Sequence, residues 1–216
     1  MKKTNKEKLT KIQPESLIAL KRGIFKISQY FNLGKKIRWN IEKLYAQKMS
    51  IKSPISRNSA MNTDIHILWP LYGTDKDILQ EYFIPKEQLS KFIEIFKKYV
   101  LNFNMNILNV TIREVKQDNI SLLPYANTDV FGVVCLFSQN LTSQEEEKME
   151  NFTKAIIDEV IRLNGTFYLP YRLHYNINQL QKSYPNLLYW LQIKEKWDPD
   201  HIFSSEFFKH IDNANL

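Results

Sequence analysis

From Ile78 onward the apolar positions change their period in an ordered way. Ile78 to Ile84 reads as a strand stopped by Pro85. Lys86 to Asn102 carries Leu89, Phe92, Ile93, Phe96 and Val100 at spacings of three and four, which puts them on one face of a helix. Ile107 to Val115 alternates apolar and polar residues, the mark of a half-buried strand. Val130 to Phe137 is almost wholly apolar and is reached through the turn-rich stretch Pro124 to Asp129. Ser143 with Glu146 three residues on predicts a capping box, opening a helix that runs to Leu163 and stops at Asn164-Gly165. Thr166 to Leu169 is the closing strand. The order β-α-β-β-α-β predicts an α+β fold of the ferredoxin-like kind, an antiparallel sheet with both helices on one face.

Either side of this block the pattern is helical. Leu17, Leu20, Ile24, Ile27 and Phe31 fall on one helix face, with Gly34 as the expected stop, and Ile37, Ile41, Leu44 and Tyr45 continue in a second helix. Two short helices, near Ile177 to Ser183 and Pro185 to Lys196, are expected to finish the chain. The expected organisation is a basic tail over 1–13, a helical appendage over 14–60 and one domain over 61–216.

Composition narrows the class. Of 216 residues 44% are hydrophobic and 13% aromatic, which suits a folded core. Only five glycines argue against a dinucleotide fold with a Gly-rich phosphate turn. The single cysteine, Cys135, sits in an apolar run, so a disulfide framework is excluded and the residue reads as core. The net charge of +7 is uneven: residues 1–60 hold 15 Lys+Arg against 3 Asp+Glu, or +12, leaving −5 for the rest. A basic helical segment can meet nucleic acid or an anionic membrane through Lys21, Arg22, Lys35, Lys36 and Arg38, or can be a solvated face. The solvated face is preferred, so no nucleic-acid partner is expected, while peripheral membrane contact stays open. The start MKKTNKEKLTKIQ has no apolar core of a secretory signal, which points to the cytoplasm.

Candidate chemistry begins on the second strand. In Val110-Thr111-Ile112-Arg113-Glu114-Val115 the period of two places Thr111, Arg113 and Val115 on one face. A permanent guanidinium there can bind a substrate oxygen, or can be an ordinary edge-strand charge paired to a carboxylate. Glu81 and Tyr82 on the first strand point to opposite faces; Glu81 on the face of Arg113 can accept from a hydroxyl or orient the guanidinium. His66, His201 and His210 have no ligand spacing, and no metal is expected.

The stretch from Gly165 to Ile211, with Tyr168-Leu169-Pro170-Tyr171-Arg172-Leu173-His174-Tyr175 and Lys194-x-x-Trp197-Asp198-Pro199-x-x-x-Phe203, resembles the C-terminal end of FAD-linked oxidases of the vanillyl-alcohol oxidase type. Within that group it resembles oxidases and dehydrogenases related to aldonolactone oxidases, alditol oxidases and the sterol reductase that acts on a side-chain double bond. The likeness extends upstream through Ser56 to Met61, Asp77 to Pro85 and Asn109 to Val115, covering roughly residues 56–211. It implies the substrate-binding cap of a flavoprotein, built on a ferredoxin-like sheet. Under it, Arg113, Glu81 and His174 are catalytic candidates, Thr111 and Tyr171 substrate-binding ones, and Tyr168, Arg172 and His174 face the cofactor. Thr111 stands where related alditol oxidases carry Glu. Tyr171 and Ile177 stand where related enzymes carry a Lys. The Lys194 to Phe203 run is expected to be structural, with Asp198 capping the next turn and Phe203 packing the chain end.

The Gly-rich pyrophosphate loops of the family are not in these 216 residues. FAD is therefore expected to be held mainly by a domain on a separate chain or gene segment, and this chain alone to be colourless and inactive. The implied substrate is a CH–OH donor, a small molecule such as D-arabinono-1,4-lactone or a polyol.

Overall fold

The computed structural model describes residues 21, 23–25, 27, 28, 31–49 and 75–213. The chain divides into two compact units, Met1–Gly73 and Thr74–Leu216. In the first, residues 21, 23–25, 27 and 28 are helical and α1 spans Asn32–Met49. Gly34 lies inside α1 and does not stop it. A Cβ there would stand 3.2 Å from the Ser28 Cα and 3.3 Å from the Ile27 carbonyl, so the glycine serves a close approach between two helical segments. Arg38 ties those segments: its guanidinium lies over the Phe25 ring at 4.8 Å and donates to the Ser28 hydroxyl and to Glu42. The expected tail, Leu17, Leu20, Arg22, His66 and the Ser56 to Met61 likeness lie outside the described residues.

The second unit is mixed helix and sheet. Its elements are β1 (Asp75–Pro85), a 3-10 turn (Lys86–Gln88), α2 (Leu89–Asn102), β2 (Ile107–Val115), β3 (Val130–Asn140), α3 (Ser143–Arg162), β4 (Thr166–Phe167), α4 (Ile177–Ser183), α5 (Leu187–Trp197) and α6 (Glu206–Asp212). The four strands form one antiparallel sheet in the order β2-β3-β1-β4. The long β1–β3 ladder runs from Asp75 opposite Asn140 to Pro85 opposite Val130.

Alternation decides what each sheet face meets. Ile78, Tyr82 and Ile84 of β1 share a face with Val133, Cys135 and Phe137 of β3, and all six are buried. Both long helices pack there. Phe92 of α2 meets Tyr82 with ring centroids 5.9 Å apart, and Phe96 of α2, Phe137 of β3 and Phe152 of α3 form a triangle of rings at 5.5 to 6.4 Å. The core continues into the C-terminal helices through Tyr175, Leu180, Tyr184, Leu187 and Ile211. Tyr184 donates its hydroxyl to the Phe167 carbonyl, and Gln179 donates to Lys154 O and Asp158 of α3.

Four local expectations are corrected. The N-cap of α3 is Thr142, whose hydroxyl accepts from Glu145 N, so there is no capping box with Ser143; the Glu146 carboxylate turns to other partners described below. The closing strand pairs only over Thr166–Phe167, because Pro170 lacks a backbone donor and the chain turns away toward α4. A third C-terminal helix, α6, is present, capped by Ser205. Phe203 does not pack the chain end and is 80% exposed; Phe208 and Ile211 do that work, one helical turn apart on α6. The stop of α3 is as expected: Asn164 takes a left-handed φ of 58°, and Gly165 follows because a Cβ there would lie 2.6 Å from the Phe83 carbonyl.

Candidate active site

The sheet face turned away from α2 and α3 has a different composition. The register lines up Thr111, Val134 and Glu81 in one row across the three long strands, and Arg113, Gly132 and Phe83 in the next. Gly132 leaves a gap in the middle of its row. A Cβ there would come 3.1 Å from the Glu81 Oε1 and 3.3 Å from the Phe83 ring, so the missing side chain is what lets those groups sit low on the sheet. Arg113 Nη2 reaches the Glu81 Oε1 at 3.4 Å across that gap. The two differ in solvent contact: the Glu81 side chain is 9% exposed and the Arg113 side chain 58%.

Aromatic rings form the wall. Phe83 stacks on Tyr125 at 4.4 Å, Tyr125 meets Tyr168 edge-on at 6.0 Å, and Tyr168 meets Tyr171 edge-on at 4.8 Å. Together with Glu81, Arg113, Glu114 and Val115 these residues line an open cavity of about 340 Å³. Two segments deliver the wall. Tyr168 is held because its N–H donates to the Glu81 carbonyl, prolonging the β4 contact by one bond. Tyr125 belongs to the 116–129 loop, which is closed by bonds of its own: Asp118 N to Ala126 O, Gln117 Nε2 to Asn127 O, and the Asp118 carboxylate accepting from Ile120 N and Ser121 N. At the rim Lys86 and Lys116 both bridge Glu114 and Asp129, and with the Gln117 N–H they hold the Asp129 carboxyl far below the usual range.

The buried carboxylate is the electrostatic centre. Burial pushes the Glu81 carboxyl up and the Arg113 charge only partly offsets it. Tyr171 is pushed up by burial, then by the neighbouring Glu81 and Tyr168. A proton acceptor of raised affinity beside a half-exposed guanidinium can serve a neutral, oxygen-rich group: a carboxylate can take a hydroxyl hydrogen, a guanidinium can donate to a lone pair, and rings can cover apolar C–H faces.

Four residues expected at a site are thus together: Glu81, Arg113, Tyr168 and Tyr171. Thr111 shares their face, in the row of Glu81 but two strands away, where its hydroxyl accepts from Asn109, and it does not line the cavity. Arg172 and His174 are gathered elsewhere. Both bind Oε1 of Glu146 in the first turn of α3, His174 Nε2 at 2.9 Å, while Gln139 donates to Oε2 at 2.7 Å. Burial would raise the Glu146 carboxyl, but the bonds from Arg172, Gln139 and His174 prevail and bring it down to about 2. Burial lowers His174, against the pull of Glu146. The neutral imidazole then donates from Nε2, leaving Nδ1 buried without a protein partner. This cluster fixes the loop that carries Tyr168 and Tyr171.

Sequence reasoning missed Phe83, Tyr125, Gly132 and Glu146. Gly132 had a signal, a lone glycine in an apolar strand. Glu146 had a misleading one, since its spacing from Ser143 fits a cap. Among the described residues no group of three or more His, Cys, Asp or Glu is placed to hold a metal ion. No helix among them is long and apolar enough to cross a membrane. No protein-family model matches the chain, and no curated protein matches it.

Proposed function

We propose that residues 75–213 form the substrate-side cap of an FAD-dependent oxidoreductase acting on a CH–OH donor, a sugar lactone of the D-arabinono-1,4-lactone kind or a polyol. The observation that carries this reading is the Arg113–Glu81 pair on the floor of an open, tyrosine-walled cavity, on the one sheet face the long helices leave free. The strand order β4-β1-β3-β2, with α2 and α3 on the other face, supports the ferredoxin-like arrangement of such caps.

The residues present fit the ring end of a flavin and not its nucleotide end. Tyr168, Tyr171 and Arg113 offer planar and cationic surface. The two glycines of this unit, Gly132 and Gly165, are committed to sheet packing and make no phosphate loop. FAD is thus held mainly by a partner domain, and when bound it supplies the hydride acceptor. This chain binds and orients the substrate. Arg113 donates to a lactone or hydroxyl oxygen, Glu81 accepts from the hydroxyl being oxidised, and the tyrosines exclude water. Arg172 and His174, anchored on Glu146, set the loop that places Tyr168 and Tyr171. The unit is not expected to bind nucleic acid.

The test is to tag this chain and co-express it with the reading frames that flank its gene. A co-purifying flavoprotein, bleached without air by an aldonolactone or a polyol and not bleached when the chain carries Arg113→Ala, is the expected result. A partner-free chain, or a flavoprotein indifferent to both the substrates and the variant, overturns the reading.

A further inference from the structure

We infer that the outer edge of β2 is a self-pairing surface through which two copies of this chain join their sheets about a two-fold axis at Thr111. This stands apart from the flavin reading, since it rests on the strand edge alone. β2 is the outermost strand of the four, and among the described residues no strand pairs with its free side. It is nine residues long, and Asn109 through Glu114 are all exposed. Proteins ordinarily blunt such an edge with proline, lysine or a bulge. The stretch Asn109–Val115 has no proline and no lysine, and its one irregularity lies before it, between Ile107 and Asn109.

The sequence of the edge selects the occupant. A two-fold normal to the sheet keeps the helices of both copies on one side and requires a residue on the axis, because residues directly opposite in an antiparallel pair share a face. With Thr111 on the axis, Val110 faces Ile112 of the other copy, and Ile112 faces its Val110. These two are 40% and 46% exposed on the helix side of the sheet. On the open face Asn109 comes opposite Arg113, an amide oxygen beside a guanidinium, and Thr111 meets Thr111. Neither charge of the strand meets its like. Moving the axis to Ile112 would set Val110 against Glu114 and Thr111 against Arg113, and moving it to Val110 would bring the irregularity between Ile107 and Asn109 into the pair. Over the regular stretch Asn109–Arg113 the Thr111 register matches apolar with apolar and polar with polar on both faces. It makes one continuous sheet of eight strands and brings Asn109 of each copy beside the Arg113 of the other.

The test uses the full chain. Sedimentation across a range of concentrations is expected to show a monomer–dimer equilibrium. Thr111→Cys is expected to give a disulfide-linked dimer on mild oxidation, since opposed Cβ atoms of a strand pair lie within about 5.5 Å; Asn109→Cys, equally exposed but off the axis, is expected to stay unlinked. Native Cys135 is buried and does not compete. Ile112→Lys is expected to shift the equilibrium to monomer at least tenfold without loss of helical signal, and adding Val110→Glu to it should restore the dimer by pairing opposite charges across the axis. A wild-type chain that stays monomeric at every concentration overturns the proposal. So does equal linking of both cysteine variants, or a dimer that Ile112→Lys leaves intact.

Discussion

The two faces of the one sheet are built from the same strands by alternate residues, yet they do opposite things. On the helix side Tyr82, Ile84, Val133, Cys135 and Phe137 are fully shut from solvent, and Tyr82 and Phe137 meet aromatic side chains of α2 and α3. On the free side Glu81, Phe83, Gly132 and Arg113 stand one residue further along and meet rings delivered by two loops. The first face is made of groups that gain by leaving water, and it carries the stability of the unit. The second keeps a carboxylate and a guanidinium at a cost to stability, and the binding role proposed for it would account for that cost. The contrast breaks if substitutions on the two faces have like effects.

The largest expected effect lies on the closed face. Phe152 is wholly buried and touches Phe96, Phe103 and Phe137. Phe152→Ala is expected to lower unfolding free energy by about 3–5 kcal/mol, read from a urea midpoint, with no direct change in the cavity. A smaller but still structural loss is expected from Gly165→Ala at the stop of α3. The added methyl meets the Phe83 carbonyl, and the β1–β4 contact must yield, at about 1–3 kcal/mol. A stability equal to that of the native chain would mean that β4 is not held as described.

How far the sequence spoke follows the same division. The closed face was legible, because burial in a sheet under helices imposes periods of two and 3.6 that single residues cannot disguise. β2 runs over Ile107–Val115 and α4 over Ile177–Ser183, as the pattern expects. The free face was legible in part. The period of two put Arg113 and Glu81 within reach of one another, but nothing local told that Gly132 would open a gap between them or that Tyr125 would fold back over Phe83. Those placements depend on register and loop closure, which are long-range. Glu146 misled for the converse reason: a local rule offered it a helix cap, and partners at 172 and 174 gave its carboxylate more hydrogen bonds.

Two carboxylates of this unit sharpen the comparison, because their pKa values move in opposite directions. Glu146 is brought from its ordinary 4.5 to about 2, so its bonds stabilise the fold fully above 4.5, and that stability is lost as the pH falls through about 2. His174, lowered from 6.5 by burial, adds to the acid loss, since its protonation is easier in the unfolded chain. Glu146→Gln is expected to cost about 1–2 kcal/mol at neutral pH, a figure reduced for the solvent contact of the carboxylate. The gap between native chain and variant should close toward pH 2. A gap of constant size across that range would show that Glu146 holds the loop by shape and not by charge.

The smallest expected effect on stability, and the one that speaks most to binding, is at Arg113. Its side chain is mostly solvated, so Arg113→Ala should cost only about 0.5–1 kcal/mol at neutral pH. That cost arises through Glu81, whose carboxyl is already raised by burial and loses its one opposing charge. The loss has the same direction as in the Glu146 case, fading in acid, but it fades at a higher pH because the Glu81 carboxyl is raised where the Glu146 carboxyl is lowered. A raised carboxyl costs most when ionised, so the loss in Arg113→Ala is expected above the folded pKa of Glu81 and should fade as the pH falls below it. Adding Glu81→Gln should remove the pH dependence altogether. Lactone binding should behave otherwise: with the guanidinium gone, affinity measured by NMR titration is expected to fall by about tenfold or more at every pH, one charged hydrogen bond being worth about 1.5–3 kcal/mol. Retained affinity in Arg113→Ala, with its acid-sensitive stability loss present, would leave the pair as a structural feature of the free face and move the binding role to the tyrosines.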